Sequence, residues 1–311
     1  MKTKITPIIA TFKRPILLER CLYYLNKNFK NLSKNKYILY RFDKLYHNEY
    51  KKIFKNQNLI IKKRQEKKKF AIKDFLKNTN FFSFYHYVKW YQVLTKFNSF
   101  KKDLETALKS IKTDFVMIIP DDLIIYKKTE VPKKALELMF KKPADYYYKF
   151  TSDYEDIKKS IIKENIYIRK FLHKKSSSFF LWKNNFKSKN IYLNYNFHFE
   201  AIYHRKTLLK FLKNFFYNNP TTMESIGYKM AKKIKYYNFG ISPITRTATT
   251  YQINTIQNLV KQKHRINIDP QKLNNYFKEG YILNINKKLF EKRNIVQNKI
   301  QLKKNKKLIF I

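Results

Sequence analysis

The sequence predicts an open, mostly parallel α/β sheet flanked by helices, followed by a less regular α+β half. Strand-like apolar runs alternate with amphipathic helical stripes through the first third of the chain, the βαβα order of an open sheet. The run Phe115–Ile119 is apolar at every position, as a strand buried on both faces of a parallel sheet must be. With 311 residues, 44% of them hydrophobic, the chain is long and apolar enough to build such a core.

Each element has its own signal. Ile5–Thr11 reads as a first strand ending in a turn. Leu18, Cys21, Leu22 and Leu25 then recur at i, i+3, i+4 and i+7, one apolar face of a helix. Pro15 stands at its first turn, where a missing N–H costs no helical bond. Tyr37–Phe42 and Leu59–Ile61 read as second and third strands around a polar helix at Glu49–Lys55. Phe97, Phe100, Leu104, Ala107, Leu108 and Ile111 keep helical spacing before Phe115–Ile119. Beyond that, Tyr146–Phe150 and Asn165–Arg169 are strand candidates, and Lys62–Lys69 and Lys174–Ser178 read as loops. Thr207 is the expected N-cap of a helix through Leu208, Phe211, Leu212 and Phe215, and Thr221–Lys235 reads as another helix. Lys287–Lys307 is so rich in Lys and Asn that it is expected as a basic helix or frayed tail.

Composition excludes several functions. Three glycines are too few for a P-loop or a G-x-G-x-x-G nucleotide site. One cysteine, Cys21, leaves no disulfide framework and no cysteine zinc site. The six histidines show no metal-ligand spacing, and no G-x-S-x-G elbow accompanies Ser176–Ser178. No apolar run reaches spanning length, and the first residues do not read as a secretory signal, so a soluble protein of a reducing compartment is expected. The net charge is +46, but 59 of the 68 basic residues are Lys and 9 are Arg. Gly, Ala and Pro are scarce while Asn, Ile, Phe and Tyr abound, the pattern AT-rich codons impose. Selection for bidentate phosphate and base contacts would favour Arg, so nucleic acid is not the expected partner. The charge still attracts anionic membranes and acidic substrates.

Two constellations carry candidate chemistry. Pro120-Asp121-Asp122 directly follows the buried strand, at the carboxyl edge where open α/β sheets bind ligands. Paired carboxylates there suit Mg2+ or Mn2+, which take one or two carboxylates and complete their shell with substrate phosphate; the same pair also suits an ordinary turn. Thr11-Phe12-Lys13-Arg14-Pro15 joins the first strand to the first helix and reads either as an anion site or as a plain turn. The aromatic stretch Phe81–Trp90 reads as core or as the wall of an acceptor pocket.

In order and spacing, Pro7–Pro15 with Leu18-Glu19-Arg20-Cys21-Leu22, followed by Asp103–Asp122, resembles the opening of bacterial nucleotide-sugar glycosyltransferases of the GT-A fold, family 2-like. That family begins with a strand, a T-x-N-R-P-like turn and an L-x-x-C/A-L helix, and reaches an Asp-rich metal motif about a hundred residues on. The resemblance covers roughly residues 5–125 and, more loosely, Glu200–Lys235. The chain departs from the pattern at Lys13, where Asn or Asp is usual, and in having Pro-Asp-Asp for Asp-x-Asp.

The resemblance implies a Rossmann-like, GT-A sheet with a nucleotide-sugar-binding part at 1–145, an acceptor-side part at 146–285 and a basic tail or helix at 286–311. It implies that Thr11 and Arg14 hold the nucleotide, that Asp121 contacts the ribose and that Asp122 binds the divalent cation. Asp43, closing the second strand, falls to the base or ribose, or is simply a turn residue. Glu224 is the candidate general base for an inverting transfer, with Glu200 and Asp153 as alternatives; Thr221-x-x-Glu224 is also the pattern of a capping box. The implied partners are a nucleoside-diphosphate sugar and a surface-glycan or lipid-linked acceptor, with the protein in the cytoplasm at the inner-membrane surface. Two readings compete with this enzyme: a nucleic-acid binder using Lys-rich faces, and a non-catalytic membrane-surface protein on a degenerate transferase fold.

Overall fold

A computed structural model describes residues 4–55, 58–64, 100–152, 154–155, 157–158, 167–171, 178–188, 191–250, 268–285, 301–305 and 307–310. The expectations for Phe81–Trp90, Asp153, Ser176 and Ser177 lie outside these residues. The first half follows the expected order as far as the buried strand: β1 (Ile5–Thr11), α1 (Pro15–Asn28), β2 (Lys36–Arg41), α2 (His47–Lys55), β3 (Leu59–Arg64), α3 (Phe100–Ser110) and β4 (Phe115–Pro120); β5 (Leu123–Ile125) and α4 (Lys133–Lys141), which the sequence reading did not include, come next. The second half holds β6 (Tyr146–Lys149), β7 (Ile168–Phe171), β8 (Phe179–Lys183), α5 (Ile191–Asn194), β9 (Ala201–His204), α6 (Arg205–Leu212), α7 (Pro220–Lys233), β10 (Phe239–Pro243) and β11 (Ala248–Thr250). It closes with α8 (Pro270–Lys278), β12 (Ile282–Leu283), β13 (Gln301–Lys304) and β14 (Lys307–Phe310).

Among the described residues nine strands form one open sheet in the order β3-β2-β1-β4-β9-β6-β10-β8-β7. The first four are mutually parallel in the 3-2-1-4 order of a Rossmann-like half. Strand β9 runs antiparallel between β4 and β6, and β10 then pairs parallel with β6. The central strands alternate their side chains between two cores, as strand periodicity demands. Ile8, Ala10, Val116 and Ile118 pack with α3, α6 and α7 on one face. Ile5, Ile9, Met117 and Ile119 meet Leu18, Cys21 and Leu22 of α1 and Leu136 and Met139 of α4 on the other. The apolar run at Phe115–Ile119 is thus consumed on both sides, as its pattern requires.

Three expectations are corrected. Strand β3 runs on to Arg64, so positions 62–64, expected as the start of a basic loop, pair in parallel with Leu39, Tyr40 and Arg41 of β2, while positions 65–69 lie outside the described residues. Helix α6 starts at Arg205 with His204 as N-cap, so Thr207 lies inside its first turn, where its hydroxyl meets His204 Nδ1 at 3.0 Å. The apolar stripe misled because it begins only a turn into the helix. Residues 301–310, expected as helix or frayed tail, form an antiparallel hairpin that joins β12 in a small sheet. Its inward residues, Leu302 and Ile309, are enough to seat it on the body of the protein, and the lysines around them obscure the alternation.

Gly240 shows how tightly the sheet's far side is packed. It pairs with Trp182 across β10 and β8, and a Cβ there would overlap the fully buried indole ring. Gly240→Ala is therefore expected to destabilise the fold by about 2 kcal/mol through overpacking, read as a lower denaturation midpoint with unchanged far-ultraviolet circular dichroism.

Candidate functional site

The carboxyl ends of β1 and β4 lie side by side, because Ala10 pairs with Pro120 and Asp121 N–H donates to Ala10 O. That register brings Thr11, Arg14, Asp121 and Asp122 together. Arg14 is the N-cap of α1 and reaches back over the strand ends. Its Nη2 donates to Asp121 Oδ1 in a short contact, and its Nη1 lies 3.1 Å from Asp122 Oδ2. Thr11 Oγ1 donates to the second Asp121 oxygen at 2.7 Å. Since that gives away the only threonine proton, Tyr50 must donate to Thr11 Oγ1, also at 2.7 Å, while Tyr50 OH accepts from Arg14 N–H at 3.0 Å. The chain of donors Arg14 N–H, Tyr50, Thr11 and Asp121 is buried and directional, so each bond polarises the next. Tyr50 was not foreseen.

This arrangement separates the two aspartates. Asp121 has no exposed side-chain surface and both of its oxygens are engaged, so the ribose contact expected of it is closed off in this conformation. Burial raises its carboxyl to about 6 against the opposing pull of Arg14. The guanidinium beside both carboxylates stays charged. Asp122 keeps an exposed edge, 11% of its side chain. With Arg14 counted, the trio carries one net negative charge.

Lys13 explains its own departure from the resembled turn. Its φ of 56° lies in the left-handed region, where Asn is the favoured non-glycine residue. Its ammonium sits 3.3 Å from Asp43 Oδ2, and Asp43 Oδ1 accepts from Leu45 N–H at 3.0 Å. Asp43 is thus engaged in the turn after β2, beside the first-strand junction.

Across the same edge lies a second acidic group. Because β9 is antiparallel to β4 with Ala201 opposite Ile118, Glu200 falls at the end of β4 that carries the aspartates. Thr250, paired with Leu123 next to Asp122, donates a short hydrogen bond to Glu200. Glu224 arrives from α7, where its Oε1 accepts from Phe199 N–H at 3.1 Å. The capping alternative for Glu224 does not hold: the box at this helix is Asn219 with Thr222. Glu224 is therefore free of backbone duty at the helix start, and 34% of its side chain faces solvent. Burial and the neighbouring Glu200 raise its carboxyl to about 7. Glu200 is raised as well, by burial first and with Asp122 adding to it.

Lys149, at the end of β6, and His198 complete the group. Lys149 Nζ lies 3.3 Å from His198 Nδ1, which is 3.8 Å from Glu224 Oε1. Burial, reinforced by Lys149, holds the imidazole pKa well below its usual value, so His198 is neutral and its approach to Glu224 is not an ion pair. Neither residue had a sequence signal.

The donor set decides what metal the site suits. Among the described residues no three His, Cys, Asp or Glu gather around one point. A complete protein cage is therefore not built there. A hard cation that needs one or two carboxylates and takes its remaining ligands from a diphosphate fits Asp122, as a carboxylate donor beside the neutral Arg14–Asp121 pair, in a trio of net charge −1.

No protein-family profile and no curated protein matches the chain. Among solved structures it aligns with 4-diphosphocytidyl-2C-methyl-D-erythritol synthase from Anaerococcus prevotii DSM 20548 at a TM-score of 0.40 and 10% identity, covering 89% of this chain and 100% of that one. It also aligns with mouse xyloside xylosyltransferase 1, apo form, at a TM-score of 0.30 and 7% identity, covering 78% of this chain and 79% of that one. Likenesses this loose carry no functional argument. No helix among the described residues is long and apolar enough to cross a membrane.

The raised Glu224 carboxyl has a consequence for stability. Its folded value, about 7, lies above the ordinary 4.5, so the fold prefers the protonated form. Stability from this group is present below pH 4.5 and is lost as pH rises toward 7. Glu224→Gln keeps the acceptor for Phe199 N–H and removes the charge. It is expected to be more stable than wild type at pH 8 by about 1 kcal/mol, after screening of the solvent-facing third, and equal to it near pH 4.5; thermal melts at the two pH values check this.

Proposed function

We propose that the chain is a glycosyltransferase moving a sugar from a nucleoside-diphosphate sugar to a hydroxyl of a glycan or lipid-linked acceptor, with inversion at the anomeric carbon. The observation that carries this reading is the convergence of Asp121, Asp122, Glu200 and Glu224 on one sheet edge, in a chain with 22 acidic residues and a net charge of +46. One carboxylate beside Arg14 and another, solvent-facing and basic near neutrality, are what donor binding and acceptor activation each require.

In this reading Asp122 is the protein ligand of Mg2+ or Mn2+, and a bound cation supplies charge neutralisation at the diphosphate. Arg14 adds a fixed positive charge at the same place. Thr11, Asp121 and Tyr50 take part by holding Arg14 in position from beneath. Asp43 lines the nucleoside side. Glu224 accepts the acceptor hydroxyl's proton while that oxygen bonds to the anomeric carbon; the bond to the phosphate oxygen breaks, and the nucleoside diphosphate leaves with the electron pair. Glu200 raises the basicity of Glu224 by like charge, and Lys149 keeps that effect in check.

Calorimetric titration with UDP and other nucleoside diphosphates, with and without Mn2+, tests the proposal. Binding strengthened by Mn2+ is expected. Asp122→Asn should weaken it about tenfold or more, by loss of one charged ligand worth about 1.5–3 kcal/mol, and excess Mn2+ should partly restore it. Turnover of a competent donor should fall below pH 7 as Glu224 takes up a proton, and this acid limb should vanish in Glu224→Gln along with the activity. Indifference to every nucleoside diphosphate rejects the proposal.

A further inference from the structure

The link between α5 and β9 carries His198, Phe199 and Glu200 in consecutive positions and has no helix or strand of its own. Something other than a backbone ladder has to hold it, and a side chain of the next strand does so. Tyr203 lies on β9, between β4 and β6, and has no exposed surface. Its hydroxyl accepts from His198 N–H at 2.8 Å and donates to His198 O at 2.7 Å. One phenol thus satisfies both backbone groups of a buried residue. Phe197 and Tyr237 pack against its ring, with centroids 5.4 and 4.9 Å away, and keep the hydroxyl aimed at this link.

We infer that Tyr203 is a positioning residue for Glu224, acting through the peptide unit that joins His198 to Phe199; the inference rests on the reading of Glu224 as the general base. That unit is planar and trans, so its carbonyl and its N–H point opposite ways. Tyr203 holds the carbonyl end, and the N–H end donates to Glu224 Oε1 at 3.1 Å. Fixing one end of a rigid plane fixes the other. The bond to the carbonyl also polarises the N–H and makes it the better donor. Glu224 further faces Glu200, Lys149, Tyr195, the Tyr203 phenol itself and, at 3.8 Å, the neutral His198 ring. Those groups act on the charge of the carboxylate, whereas the Phe199 N–H directs one of its oxygens.

The same aromatic cluster supplies a control. Tyr237 is equally buried, and its hydroxyl has no hydrogen-bond partner among the described residues. Removing that oxygen leaves the peptide unit untouched.

Amide proton spectra of the full chain, titrated through neutral pH, test the inference. In wild type the Phe199 amide should move downfield as Glu224 ionises, with a midpoint of about 7, and Glu224→Gln should abolish the movement. Tyr203→Phe keeps the ring and should lose most of it. Tyr237→Phe should keep all of it. With a competent donor and acceptor, Tyr203→Phe should lower kcat about tenfold or more through misplacement of the base, with the KM for the donor unchanged, while Tyr237→Phe should turn over like wild type. A Phe199 amide in Tyr203→Phe that follows pH as in wild type overturns the inference. Equal loss in both tyrosine variants overturns it too, as does a wild-type Phe199 amide indifferent to Glu224. The amide response is read without any nucleotide, so it decides the positioning claim even where no nucleoside diphosphate binds and the glycosyltransferase proposal fails.

Discussion

A carboxylate with no exposed surface has to be compensated within the protein, and the way Asp121 is compensated sets the geometry of the whole sheet edge. Removing its charge from water costs several kcal/mol. The cost is offset by Arg14 on one oxygen and Thr11 on the other, and Thr11 is in turn fixed by Tyr50. These groups come from β1, the start of α1, α2 and the end of β4. The pairing therefore locks the N-terminus of α1 against the strand that leads into Asp122. Without Arg14, Asp121 would be a buried, uncompensated charge, and Asp122 would lose the cation that sets its orientation.

The second acidic group depends on topology rather than on a local motif. Strand β9 inserts antiparallel into a sheet whose neighbours run the other way, so its first residue, not its last, meets the carboxyl edge. Glu200 is brought to Asp122 by that reversal, and Glu224 follows because Phe199, next to Glu200, donates its N–H to it. In a strongly cationic chain, negative charge gathered in one place creates a local field opposite to that of the surface around it. Burial first, and the like charge of Glu200 second, raise the carboxyl of Glu224 to about 7.

Much of this was legible in the sequence wherever burial alone dictates the residue. β1 and β4 are apolar at nearly every position, α1 carries a clean i, i+3, i+4, i+7 stripe, and Pro15 marks its start. Asp121 and Asp122 stood out because acids are scarce and follow a buried strand. What stayed hidden was long-range partnership. Tyr50 is one of 25 tyrosines and Lys149 one of 59 lysines, and their partners lie 36 to 49 residues away in sequence. No spacing rule singles them out. Glu224 was marked, but its capping alternative was settled only by Asn219 and Thr222 taking that duty. The hairpin at 301–310 was missed because two inward apolar residues among lysines give too short an alternation to read.

The central claim is that Arg14 and Asp121 form one energetic unit. A double-mutant cycle with Arg14→Met, Asp121→Asn and the pair, followed by denaturant unfolding, measures it most directly. Each single change should cost about 3 kcal/mol, because each leaves a buried group without its main partner. The double variant should cost well below the sum, giving a coupling of about 2 kcal/mol or more. Costs that add within about 0.5 kcal/mol would mean that the two side chains act independently, contradicting the account.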